Sequence, residues 1–259
     1  MSLLSSLFHA TFALSFLFST PLLARDWNAI KTSGTLLAAT EGASPPFTYH
    51  EGNNLTGYEV EVAEALAKKL NLKISWSEIP FDTLISAVSK NRFDFAISSH
   101  SYTEARAQLV DFASPHYCTS AQIVAPKNGA LTVAALKNKS VGALQGSSYA
   151  TLANKIPETK TVKLYKTKEA SLLALSVDAS DPVDAVVSNQ FSIEMFLKKS
   201  PNADLTVGET LLIERISLIM PKGNKEVMDK INQALADLTK DGTLKRLSEK
   251  YFKRDITCR

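Results

Sequence analysis

From Thr35 onward short apolar stretches alternate with amphipathic ones, and that cadence narrows the fold to parallel sheets covered by helices. Thr35 to Ala39 reads as a strand. Tyr58 to Leu70 reads as a helix with Val62, Ala63, Leu66, Ala67 and Leu70 on one face and a Glu64–Lys68 pair on its wet side. Lys73 to Ile79 opens as polar/apolar alternation and stops before Pro80, Asp82 to Lys90 is helical in pattern, and Phe93 to Ile97 is a buried strand. A second series follows, with strands predicted at Ala121 to Val124, Ser140 to Leu144, Thr161 to Tyr165 and Val183 to Val187. Helical stretches lie between them at Leu131 to Leu136, Ser148 to Lys155 and Lys168 to Leu175. A last strand, Ile216 to Met220, ends at Pro221, and two helices close the chain, one carrying Val227, Ile231, Leu235 and Leu238, the other Leu244, Leu247 and Tyr251. Two α/β lobes without a flexible linker predict more than one crossing between them, and a cleft suited to a small ligand.

The chain has 259 residues, 45% hydrophobic and 21% charged, which suits two lobes of roughly 100 residues each. Its net charge of +3 comes from scattered lysines in short runs such as Lys68-Lys69 and Lys198-Lys199, so no basic stripe marks a nucleic-acid partner. Leu3 to Ala24 carries no Asp, Glu, Lys or Arg; Phe12 to Phe18 forms an apolar centre, Pro21 breaks it, and Leu22-Leu23-Ala24 ends in a small residue. This predicts a secretory signal peptide over residues 1–24, unusual in lacking a basic start, and hence a periplasmic location. The competing reading is a membrane anchor, which Ser, Thr and Pro interrupt. No Cys stands at the cleavage site to take a lipid, and no later stretch is apolar enough to span a bilayer. Cys118 and Cys258 both lie beyond the leader; an oxidising compartment permits a bond between them, and a buried free thiol with a tail thiol is the other arrangement. With no C-x-x-C and no Cys/His cluster, neither a metal nor a cofactor is expected.

Gly57-Tyr58-Glu59-Val60-Glu61-Val62-Ala63-Glu64-Ala65-Leu66-Ala67-Lys68-Lys69-Leu70 resembles the signature of the family 3 extracellular solute-binding proteins, the polar amino-acid receptors of ATP-binding-cassette importers. Pro45 to Tyr49, Phe81 to Ile85, Asn91 to Asp94, Ser101 to Arg106, Val110 to Tyr117 and Val141 to Ser148 follow in the family's order and spacing, so the resemblance covers Gly34 to Phe252. It implies a two-lobed periplasmic-binding-protein fold of type II, each lobe a central sheet flanked by helices. Lobe 1 would comprise 25–120 and 216–259 and lobe 2 would comprise 121–215, with crossings near Ser120 to Ala125 and Arg215 to Leu218. It further implies a monomer that presents its closed form to the membrane subunits of an importer.

The same resemblance assigns roles. Arg106 stands where the family clamps the ligand's carboxylate, a task that suits a planar fork of donors; a surface arginine is the plain alternative. Ser101 and Ser99 match ligand-facing positions near that carboxylate. Ser147 and Ser148 open a helix after Gly146, where the first amides suit an anion, although Ser147 could simply cap the helix. Phe81 matches an aromatic that lies against the ligand's side chain, and Glu41 an acid that faces the ligand; a core ring and a solvated loop carboxylate are their plainer readings.

Two departures bear on the ligand. Ser44 replaces a second aromatic, which argues against arginine, lysine and histidine. Asn189 replaces the Asp that pairs with the ligand's ammonium; either Glu41 supplies the missing charge, which is the reading favoured, or the ligand carries no free primary ammonium and the asparagine fits a neutral or substituted group. Cyclohexadienyl and arogenate dehydratases resemble this family too, but their second-lobe acid is missing beside Asn189 and the nearest is Glu194, so a binding protein is expected rather than an enzyme. A sensory domain is the other rival, and it would be joined to a membrane segment and an output module.

Overall fold

The computed structural model describes residues 23–176 and 180–258, so the expected leader lies outside the described residues up to position 22. Asp26 caps the first helix, α1 (Trp27–Ser33), by accepting from the Ala29 amide, and Gly34 ends it in the left-handed conformation. Strand β1 (Thr35–Thr40), the hairpin β2 (Tyr49–Glu51) and β3 (Asn54–Thr56), helix α2 (Tyr58–Lys69), strand β4 (Lys73–Glu78), helix α3 (Phe81–Ser89) and strand β5 (Phe95–Ser101) follow. Next come the one-turn α4 (Glu104–Ala107), β6 (Val110–Phe112) and the long β7 (Tyr117–Pro126). The second series is β8 (Ser140–Leu144), α5 (Ser148–Lys155), β9 (Thr161–Tyr165), α6 (Lys168–Leu173), β10 (Ala185–Asn189) and α7 (Gln190–Lys199). Strand β11 (Leu205–Pro221) returns, and α8 (Lys225–Lys240) and α9 (Thr243–Phe252) end the fold.

The main sheet runs β4-β1-β5-β11-β7-β10-β8-β9, with β6 also paired to β11. Within each half the pairs are parallel: β1 with β4 and β5, and β8 with β9 and β10. Between the halves run the two long strands, β7 and β11, antiparallel from Ile216↔Tyr117 to Leu205↔Pro126. Beyond Ile216, β11 pairs with β5, so one strand serves both halves. The crossings expected near Ser120 to Ala125 and Arg215 to Leu218 fall within these two strands.

The sequence reading passes over α1, the β2–β3 hairpin, β6 and the ten-residue α7, and it departs from the structure in two of the elements it does name. Leu131 to Leu136, expected to be helical, makes only a 3-10 turn at Ala134–Leu136. The last strand is 17 residues long rather than beginning at Ile216. Its first stretch carries acids beside exposed Val207, Leu212 and Ile213, so no buried-strand pattern announces it.

Each half has an apolar core of its own, and Phe191 and Leu144 reach from the second half into clusters of the first. The first gathers Leu36, Phe47, Tyr58, Leu66, Phe95 and Tyr117 with Ile231, Leu235 and Leu247 from the C-terminal helices. Leu66 is fully buried there, and Leu66→Ala would cost about 2–5 kcal/mol. The second is built from small residues around Tyr149, including Ala121, Ala143, Ala153 and Ala185. Cys118 and Cys258 are joined in a disulfide with Cα atoms 5.0 Å apart, and the Cys118 amide donates to the Ile256 carbonyl. The C-terminal tail is thereby fastened to the start of β7.

Candidate functional site

Strand β5 ends in four buried residues, Ser98-Ser99-His100-Ser101, and α4 follows at once. Thr103 caps that turn by accepting from the Arg106 amide, which turns the Arg106 side chain back over Ser101. The guanidinium donates through Nη1 to the Ser101 carbonyl at 2.8 Å and to Ser101 Oγ at 3.3 Å. Through Nη2 it donates to the Gly146 carbonyl at 3.2 Å, so it bridges the two halves. Gly146 has φ 71°, and a Cβ there would press on Asp82, so glycine is required at this close approach. Burial lowers the Arg106 pKa, while Glu214 and Tyr149 pull it back up, and the group stays charged.

Phe81, at the start of α3, stacks on the His100 ring at 4.9 Å and lies 6.0 Å from the Arg106 guanidinium carbon. Ser99 faces the other way: its amide and hydroxyl donate to the two carboxylate oxygens of Glu59, which also bonds His116. Ser147 caps α5, accepting from the Ala150 amide and donating to the Leu144 carbonyl. Ser148 donates to Glu214 at 2.8 Å.

Asn189 is fully buried and fully engaged. Its Oδ1 accepts from the amides of Phe191 and Ser192 to cap α7, and its Nδ2 donates to Thr119 at 3.0 Å and to the Tyr149 hydroxyl at 3.3 Å. Glu41, beyond the end of β1, is 3.9 Å from Lys168 Nζ. Burial raises its pKa, and Lys168 and Ser44 pull it back down. Lys168 itself donates to Ser44 and lies over the Phe47 ring.

A cavity of about 560 Å³ opens beside these groups, walled by Glu41 and Pro80 to Thr83 on one side and by Gln145, Lys166 and Thr167 on the other. Glu41 and Phe81 join it to the constellation around Arg106, while Arg106 and Ser101 are not on its walls. Four contacts cross between the halves beside it: Arg106 to Gly146, Lys168 to Ser44 and to Glu41, and Gln145 to Asp82.

Glu214, Tyr149, Lys168 and His100 are absent from the sequence-predicted set. Glu214 comes into place because β11 sets it opposite Thr119 of β7, a pairing with no local signature. His100 had a signal, since it lies between two of the predicted residues, Ser99 and Ser101.

Two lobes joined by two shared strands, with buried charge lining the cleft between them, define a ligand-binding protein of the solute-receptor class. Residues 36–254 match the bacterial extracellular solute-binding proteins, family 3, and the chain belongs to that family. The probable amino-acid-binding protein YxeM of Bacillus subtilis (strain 168) is 35% identical over 222 residues, 83% of each chain. The L-cystine-binding protein TcyJ of Escherichia coli (strain K12) is 30% identical over 234 residues, 89% of this chain and 87% of that one. Among solved structures, an ancestral arginine-binding protein bound to glutamine is 34% identical with a TM-score of 0.78, covering 85% of this chain and 98% of that one.

Proposed function

We propose that this chain is the extracytoplasmic substrate-binding component of an ATP-binding-cassette importer, and that it encloses a small amino acid with Arg106 on the carboxylate. The observation that carries the reading is the buried guanidinium spanning Ser101 and Gly146 from opposite halves. These bonds use at most three of its five N–H groups, and a carboxylate takes the rest as a pair. Ser101, Ser147 and Ser148 surround that carboxylate, Phe81 packs against the ligand's side chain, Glu41 faces its polar end, and Ser99 and Asn189 brace the walls.

On this reading lobe 1 comprises 25–120 and 216–259, lobe 2 comprises 121–215, and the leader over 1–24 is removed on export to the periplasm. The protein works as a monomer. Ligand favours the closed form by its extra affinity for that form, and the membrane subunits recognise the closed shape. Binding without turnover is the whole function, in keeping with relatives that are amino-acid-binding proteins.

A thermal-shift screen of amino acids and small carboxylates tests the reading, because a ligand of the folded state raises the melting temperature. An amino acid that raises it, and loses that effect in Arg106→Ala, is the expected result. Prephenate consumption, or no response to any amino acid, would overturn it.

A further inference from the structure

A buried lysine opens α6. The Lys168 ammonium donates to Ser44 Oγ at 2.6 Å, stands 3.9 Å from Glu41 Oε1 and lies 5.5 Å from the centre of the Phe47 ring. Lysine is almost never buried without a partner, so its burial rests on these three groups. We propose that Glu41, Ser44 and Phe47 form a cation site, that Lys168 fills it from the opposite half, and that Lys168 thereby bars amino acids with cationic side chains from the cleft. This rests on the amino-acid reading above and adds to it a residue that sets specificity.

A buried cation needs an opposite charge, an acceptor oxygen and, where one is at hand, an aromatic face. Glu41, Ser44 and Phe47 supply one of each, all from positions 41 to 47, so the receptor belongs to one half alone. Lys168 comes from the other half, directly after Lys166 and Thr167, which line the cavity. The molecule thus carries a cation of its own, tethered to one wall of the cleft and seated in the other.

Glu41 links this arrangement to the ligand's space. It lines the cavity of about 560 Å³ together with Phe81, whereas Lys168 is not on that wall and acts on it through Glu41. Glu78 and Asp82 line the cavity too, but both are exposed, and His50 and Gln145 already engage them. Water and salt screen exposed charges, so those two discriminate weakly. The Glu41 side chain, at 4% exposure, is the acid whose charge is felt in full. A cationic side chain that reaches it meets a carboxylate already neutralised, with a second positive charge close behind. Like charges juxtaposed away from water suppress binding.

L-arginine and L-citrulline test the proposal by calorimetry, because they share a length and a shape and differ in side-chain charge. The wild type is expected to bind citrulline at least about tenfold more tightly than arginine. In Lys168→Met the order is expected to reverse, with arginine bound about tenfold more tightly, and adding Glu41→Gln is expected to erase that reversal. Lys168→Arg is expected to keep the wild-type order. A lysine that only fastened the halves together would change both affinities alike, so an unchanged ratio in Lys168→Met overturns the proposal. Wild-type protein that binds arginine as tightly as citrulline overturns it as well. Lys168→Gln, which keeps a donor for Ser44, is measured beside Lys168→Met, and the wild-type ratio decides whether or not either variant folds. If neither probe binds wild type or variant while another amino acid raises the melting temperature, the proposal falls and the amino-acid reading stands. If no amino acid raises it, both fall.

Discussion

At the floor of the cleft Arg106 and Glu214 are set by backbone geometry, one by a capped turn and the other by its register on β11. Toward the open cavity Lys168 and Glu41 come from the start of a helix and the end of a strand, in opposite halves of the molecule. Glu214 lies on a strand shared by both halves, opposite Thr119 of β7, so the floor pair sits where the halves join. Lys168 and Glu41 lie on no shared strand, and their 3.9 Å approach is a contact across the cleft.

The largest effect is expected at the floor. Arg106→Ala should lose about 2–5 kcal/mol of binding, up to several thousandfold in Kd by calorimetry, with an unchanged melting temperature in the absence of ligand. Affinity within threefold of wild type would remove the clamp.

Glu214→Gln and Glu41→Gln then compare the two pairs directly. Glu214→Gln should weaken every amino-acid ligand by about 2–3 kcal/mol, because it removes a buried charge at the floor, on which Ser148 is held. Glu41→Gln should lower affinity by about 1–2 kcal/mol and change selectivity more than strength. The reverse order would place the principal ammonium at Glu41.

Asn189→Ala separates bracing from binding. It strips the cap of α7 and two further hydrogen bonds, so about 1–3 kcal/mol of stability should be lost in urea unfolding. A mutant that melts normally and fails to bind would mark Asn189 as a ligand group.

The smallest expected effect concerns His100, between the two pairs. Burial first, then Arg106 and Lys168, hold its pKa well below the usual value. Below about pH 6.5 the unfolded chain binds a proton there that the folded state refuses, so stability falls with pH by at most about 1.4 kcal/mol per unit from this group. His100→Phe should flatten that decline in urea titrations below pH 6.5. An identical slope would show that a ligand-free cleft admits water and charge to the ring.

Much of this was legible from periodicity. Val62, Ala63, Leu66 and Ala67 share one face of α2 in the pattern and are buried in the structure. The resemblance placed Phe81 and Arg106 together before any coordinates. Glu214 was not legible, because its surroundings come from Thr119 and Ser148, residues far away in the chain. Glu41 was read as an acid facing the ligand without its neighbour Lys168, since a lysine opening a helix usually faces solvent. Asn189 was read as a gap in the family's chemistry. Its local sequence also fits a helix cap, and the structure uses it as one.

The first core is assembled from both ends of the chain, from Ile30 to Ile256, and the bond between Cys118 and Cys258 ties positions 140 residues apart. A chain emerging from its N-terminus cannot finish this half until Ile256 and Cys258 have appeared. The second half, by contrast, is nearly continuous in sequence and can mature while the first waits. The first half therefore stays open while the second forms, and the bond between Cys118 and Cys258 seals it.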